Sequence, residues 1–119
     1  MKPKYSLKNN FLYAVDGLKF LLKENAFKIE ITFFLIFTCG LYFLALPIWS
    51  KMILFSTLFL PLFAEAINTS IEKVVDLVTD DFHPLAKQAK DIAAFGVVVS
   101  IIITFLIWIT FFIYYFDLF

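Results

Sequence analysis

Residues 52–76 read MILFSTLFLPLFAEAINTSIEKVVD. The run from Met52 to Ala64 carries no charge. As a helix it reaches about 20 Å, short of the roughly 30 Å of a bilayer's hydrocarbon core. On either side lie two uncharged stretches long enough to span: ITFFLIFTCGLYFLALPIWS at 31–50 and IAAFGVVVSIIITFLIWITFFIYYF at 92–116. Two flanking spans require the chain to cross between them. A crossing of about 20 residues from Met52 ends near Ile71, so the middle helix, read as 52–78 with its cytoplasmic extension, takes Glu65 and Asn68 into the membrane or to its inner boundary. Pro61 stands one turn before Glu65, where its missing N–H is expected to bend the helix.

The composition agrees. Of 119 residues, 62% are hydrophobic, 20% aromatic and only 17% charged, with Phe alone supplying 17. A soluble domain this small cannot bury so much apolar surface. A soluble globular protein, a disordered chain and a nucleic-acid binder are excluded in favour of an all-α membrane protein with three transmembrane helices. Trp108, Tyr114 and Tyr115, late in the third span, suit an interfacial aromatic belt. The single cysteine, Cys39, leaves no internal disulfide.

Lysine placement gives the expected sidedness. Lys2, Lys4, Lys8, Lys19, Lys23 and Lys28 precede the first span, Lys73, Lys87 and Lys90 separate the second from the third, and only Lys51 falls on the other side. The positive-inside rule then puts the N-terminus in the cytoplasm and the C-terminus outside. In residues 6–28, Leu7, Phe11, Val15, Leu18, Leu22 and Phe27 recur at helical spacing among lysines. That pattern predicts an amphipathic helix on the inner membrane surface, without the uninterrupted apolar core of a signal peptide.

The chemistry gathers on the middle helix. At about 100° per residue, Glu65, Asn68, Glu72 and Asp76 fall within an arc of roughly 80°. Carboxylates near hydrocarbon are costly and mark a functional site with a partner: a divalent metal, Lys90, or a hydroxyl whose proton must be removed. As interhelical glue the stripe is poor, because like charges repel. Glu24, Glu30, Asp80, Asp81, His83, Lys87 and Asp91 converge on the same boundary. Oxygen-rich clustering suits Mg²⁺ and its phosphates better than zinc. With glycine only at positions 17, 40 and 96, no glycine-rich phosphate loop can form. Phosphate must then be handled by metal bridging and lysine charge, which phosphoryl transfer tolerates.

Glu65-Ala-Ile-Asn-Thr-Ser-Ile-Glu-Lys-Val-Val-Asp76, His83-Pro-Leu-Ala-Lys-Gln-Ala-Lys-Asp91 and Glu24-Asn-Ala-Phe-Lys-Ile-Glu30 together resemble the small prokaryotic membrane lipid kinases, the diacylglycerol kinase and undecaprenol kinase family. The resemblance implies a homotrimer in the bacterial inner membrane, with active sites between subunits at the cytoplasmic face. It implies ATP as co-substrate, Mg²⁺ as cofactor, and a membrane lipid alcohol as acceptor. Carried over by position, Glu65 is the general base and touches lipid, Glu24 and Glu72 bind the metal, and Glu30 contacts lipid. Lys90 and Asp91 match nucleotide contacts, joined by Tyr13, Asp81, Phe82 and His83, while Asn68 and Asp76 support the site. Glu65 and Glu72 are two turns, about 10 Å, apart, which accommodates Glu72 at a metal-bound phosphate and Glu65 deeper, beside a lipid headgroup.

The chain departs from the family pattern where many relatives carry an arginine near the nucleotide: only Ser6 and Lys8 stand nearby, and lysine can neutralise phosphate but lacks the bidentate fork. Ile92-Ala-Ala stands where diacylglycerol kinases often show Met-Gly-Ser. The Glu24-to-Glu30 block resembles the diacylglycerol branch, which is the favoured reading; undecaprenol kinase is the alternative. A non-catalytic membrane assembly subunit is the rival from another class. A cation transporter is disfavoured by the apolar outer half of the spans.

Overall fold

The computed structural model describes residues 4–117; Lys2, counted above among the cytoplasmic lysines, lies outside them. The elements are α1 (Leu7–Leu21), α2 (Asn25–Phe43), α3 (Ile48–Thr57), α4 (Phe59–Val78) and α5 (Pro84–Tyr115). Three helical stretches are long and apolar enough to cross a membrane: Asn25–Phe43, Ile48–Val78 (α3 continued by α4) and Pro84–Tyr115. The last two exceed a hydrocarbon core by about ten residues each, so they extend beyond it. The protein is a multi-pass membrane protein.

The first span is displaced from the expected 31–50. It begins at Asn25 and ends at Phe43, and Ile48 to Ser50 already belong to α3. Pro47 is the reason: it pushes the residue before it out of the helical region and becomes the N-cap of α3. The chain leaves helix over 44–47, and Lys51 Nζ donates to Tyr42 O at 3.2 Å across the turn. The helix in the segment read above as 6–28 is shorter too. α1 stops at Leu21, and Phe27, read above as its last apolar position, is instead buried near the start of α2. The third helix starts eight residues earlier than its apolar run, because His83 caps it and Pro84 occupies the first helical position, where no N–H is needed.

α4 packs along α5 as an antiparallel hairpin, and α2 lies against α4. The register of α5 against the second membrane-crossing stretch is fixed by Lys90 to Asp76 of α4 at 2.6 Å and by Thr104 to Thr57, the last residue of α3, at 3.1 Å. Among the described residues, apolar burial is confined to Phe27, Leu41, Leu54, Leu58 and Val97. Most other large apolar side chains point outward, Phe33, Leu35, Phe63, Phe95 and Phe105 among them, which is the pattern of a chain whose solvent is hydrocarbon. α1 has no buried residue.

The break foreseen at Pro61 occurs at Leu58, between α3 and α4. Leu58 N–H turns to Phe55 O at 3.1 Å instead of continuing the ladder. Leu54 O receives the Thr57 hydroxyl at 2.6 Å, and Thr57 O, which Pro61 cannot serve, receives Thr104 Oγ1 at 3.1 Å. Trp108 Nε1 donates to Thr57 Oγ1 at 2.8 Å, and its ring meets Phe37 at 5.3 Å. Trp108 is therefore an interhelix bond donor rather than a member of an outer aromatic belt, while Tyr114 remains exposed. Thr104 shares its proton between Ser100 O, on its own helix, at 3.0 Å and Thr57 O.

Candidate active site

The stripe read from the helical period is one face in three dimensions. Glu65, Asn68 and Thr69 are buried, at 5%, 6% and 5% exposure. Asn68 Nδ2 donates to Glu65 Oε1 at 3.4 Å and to Glu72 Oε1 at 3.2 Å, so one amide bridges the two glutamates. Thr69 Oγ1 adds a contact to Glu65 Oε1 at 3.4 Å. Both donors engage the same oxygen, which leaves Glu65 Oε2 for another proton.

Neighbouring helices bring more acids to this face. Glu24, Glu30 and Glu72 all lie within electrostatic range of Glu65. Glu24 is the N-cap of α2, and its Oε1 receives Lys73 Nζ at 3.0 Å, tying α2 to α4. By the register of the hairpin, Val97 and Ser100 of α5 face Glu65, and Ser100 Oγ is engaged with Val97 O at 2.6 Å. α5 therefore offers Glu65 no counter-charge at this level.

Where α4 and α5 project beyond the apolar layer, Asp76, Thr79, Asp80, Asp81, Phe82, His83, Lys87, Lys90 and Asp91 border an open groove of about 400 Å³. Lys90 is paired with Asp76 at 2.6 Å, and Lys87 with Asp91 at 2.5 Å. Both pairs are well exposed, so they hold the lysines at the groove without contributing much stability. His83 Nδ1 accepts Leu85 N–H at 3.1 Å, which makes it the cap of α5 and leaves Nε2 toward solvent. His83→Ala is expected to cost about 1 kcal/mol by loss of the cap, with His83→Ser retaining most of it; thermal unfolding in detergent measures the difference.

The structure thus assembles two connected clusters. Glu24, Glu30, Glu65, Asn68 and Glu72 form the deeper one; Asp76, Asp81, Phe82, His83, Lys90 and Asp91 form the groove. Tyr13 joins neither, because it lies exposed on α1. Sequence reasoning missed Thr69 and Lys73 as members of the site. Thr69 sits one turn from Glu65, a signal the helical period contains; Lys73 meets Glu24 across 49 residues, which no local pattern encodes.

Among the described residues, no three acidic, histidine or cysteine side chains converge closely enough to enclose a metal ion. A magnesium–nucleotide complex asks for less, since Mg²⁺ takes one or two carboxylates and completes its shell with phosphate oxygens and water. The donor set here is of that kind, hard oxygens in acidic excess. Glu30 Oε2 and Asn68 Oδ1 are buried acceptors with no donor among the described residues. Acceptors in such surroundings call for a hydroxyl, a hydrated cation or a neighbouring subunit. All three glycines lie inside helices, so no glycine-rich phosphate loop exists in the described chain.

Residues 12–112 match the family model described as prokaryotic diacylglycerol kinase. A diacylglycerol kinase of Helicobacter pylori is 40% identical over 98 residues, covering 81% of this chain and 76% of that protein. An undecaprenol kinase of Bacillus subtilis is 45% identical over 69 residues, 58% of this chain and 55% of its own. A diacylglycerol kinase of Escherichia coli is 29% identical over 97 residues, 81% of this chain and 80% of its own.

Proposed function

The chain belongs to the prokaryotic diacylglycerol kinase family, and from that premise we propose that it transfers the γ-phosphoryl group of ATP to the hydroxyl of diacylglycerol, giving phosphatidic acid. The observation that carries this reading is the two-level arrangement of α4. A buried carboxylate, Glu65, lies within the apolar span, and a charged groove that suits a nucleotide begins about 15 Å further along the same helix. A lipid hydroxyl arrives from within the bilayer and a nucleotide from the water, and the helix face between Glu65 and Glu72 is where they meet.

The residues divide the work. Glu65 Oε2 accepts the proton of the lipid hydroxyl, while Asn68 and Thr69 hold Oε1 in place. The lipid oxygen attacks the γ-phosphorus, the bond to the β,γ-bridging oxygen breaks, and ADP leaves. Lys90, at the mouth of the groove, faces the phosphates, and Asp91, Asp81, Phe82 and His83 line the nucleotide's path. Glu72 and Glu24 are the residues to hold Mg²⁺, which neutralises phosphate charge during the transfer. Glu30, with its unpartnered oxygen, is placed for a lipid hydroxyl or ester neighbourhood. Lys90→Met is expected to raise the KM for ATP about tenfold, with the KM for lipid unchanged, in a coupled ADP-release assay.

The lysine distribution supports a cytoplasmic groove and N-terminus. α1, with Leu7, Phe11 and Leu18 exposed beside Lys8 and Lys19, suits the inner membrane surface. A homotrimer is the assembly proposed, in which neighbouring copies close the acidic face against acyl chains and bring Tyr13 of one copy toward the groove of another.

The similarity to an undecaprenol kinase favours that lipid as the second reading. Purified protein with Mg·ATP, offered diacylglycerol and undecaprenol in competition, tests the choice. Phosphatidic acid as the dominant product supports the first reading, and equal rates or preferential undecaprenyl phosphate reject it. No ATP consumption with either lipid points to a non-catalytic assembly subunit.

A further inference from the structure

We infer that Thr104 is a positioning residue for Glu65, acting through the carbonyl that Pro61 leaves unserved. This rests on Glu65 being the base. Pro61 has no N–H, so the carbonyl of Thr57, one turn earlier, loses its helix partner in the apolar interior. Such a carbonyl must be satisfied within the protein, and a hydroxyl from a neighbouring helix is the usual remedy. Thr104 Oγ1 supplies it from α5 at 3.1 Å, with both threonines buried. Trp108 Nε1, one turn on, fixes the Thr57 hydroxyl at 2.8 Å, and that hydroxyl in turn serves Leu54 O at 2.6 Å.

The result is a joint in which the C-terminal end of α3, two residues before α4 begins, is bonded to α5 rather than only packed on it. Pro61 and Glu65 are one turn apart, and Thr57 lies about 12 Å up the axis from the carboxylate. At the other end of α4 the only interhelix side-chain bonds among the described residues are exposed lysine pairs, Lys73 with Glu24 and Lys90 with Asp76. The buried joint is therefore the firm reference that sets the rotation and depth of Glu65 relative to α5.

Three variants test this: Thr104→Val, Thr104→Ser, and Thr104→Val combined with Pro61→Ala. Valine keeps the shape of the side chain but cannot donate, and kcat is expected to fall on the order of tenfold to a hundredfold, the loss that follows a small displacement of a reacting group, with the KM for ATP unchanged. Serine restores the hydroxyl and with it most of the turnover. In the double variant, alanine returns an N–H to the Thr57 carbonyl, and kcat recovers relative to Thr104→Val alone. Thr104→Val at wild-type kcat overturns the inference, as does a double variant no faster than the single one. The loss is read per mole of folded protein, so poor folding of the valine variant is separated from misplacement by the serine and double variants. Glu65→Gln, measured alongside, reports on the base itself: full turnover there removes the underlying reading, whereas loss there together with an unaffected Thr104→Val removes only the positioning role.

Discussion

Glu65→Gln is expected to lower lipid phosphorylation by about 10²- to 10⁴-fold, the range that a positioned general base contributes. The substitution is close to isosteric. The carboxamide oxygen can take the place of Oε1 and receive the same donors, Asn68 Nδ2 and Thr69 Oγ1, while the amide nitrogen falls where Oε2 now lies. What disappears is the capacity to accept a proton, so the fold and the groove residues Asp76 and Lys90 remain as they are. Transfer of labelled phosphate to lipid, compared with nucleotide binding by the same preparation, measures the effect. Full turnover with glutamine at 65 places the base elsewhere.

Glu72→Gln is expected to act differently. Glu72 is half-buried and receives Asn68 Nδ2 at 3.2 Å, a bond that the carboxamide oxygen can still accept. The lost charge is the one between buried Glu65 and the charged groove. Turnover at saturating ATP falls on the order of 10²-fold, and the Mg²⁺ concentration for half-maximal rate rises, because the charge balance around the phosphates depends on that carboxylate. A magnesium titration at fixed ATP distinguishes the two glutamates: the profile moves for Glu72→Gln and stays in place for Glu65→Gln. An unmoved profile for Glu72→Gln assigns the metal to other residues.

The acidic face of α4 was readable from the sequence because a helix is periodic, and a period of 3.6 residues places Glu65, Asn68 and Glu72 together whatever surrounds them. The first and third spans were readable because twenty uncharged residues have few alternatives, and the second because the chain must cross between them. Their limits were not. Leu44, Ala45 and Leu46 are as apolar as the helix they follow, so hydropathy runs past Phe43, and only the backbone restriction before Pro47 ends α2. Phe27 fitted the spacing of a surface helix, but its burial assigns it to the following one. The joint at Thr57 was invisible for a third reason: Thr104 and Trp108 are 47 and 51 residues away, and their role depends on the register of two helices packed in space. Pairings of that kind, like Lys73 with Glu24, belong to tertiary structure alone.

The outward-facing leucines, isoleucines and phenylalanines carry a consequence for how this chain tolerates change. In a water-soluble protein, trimming a large aliphatic group opens a void that nothing fills, and the vacancy itself is costly. Here many such groups abut liquid acyl chains, which flow into whatever room a shorter side chain vacates. A saturation scan should therefore invert the familiar map: wide latitude among greasy positions such as Phe33, Leu35 and Phe105, and intolerance concentrated at a few hydroxyls, amides and acids such as Thr57, Asn68 and Glu65.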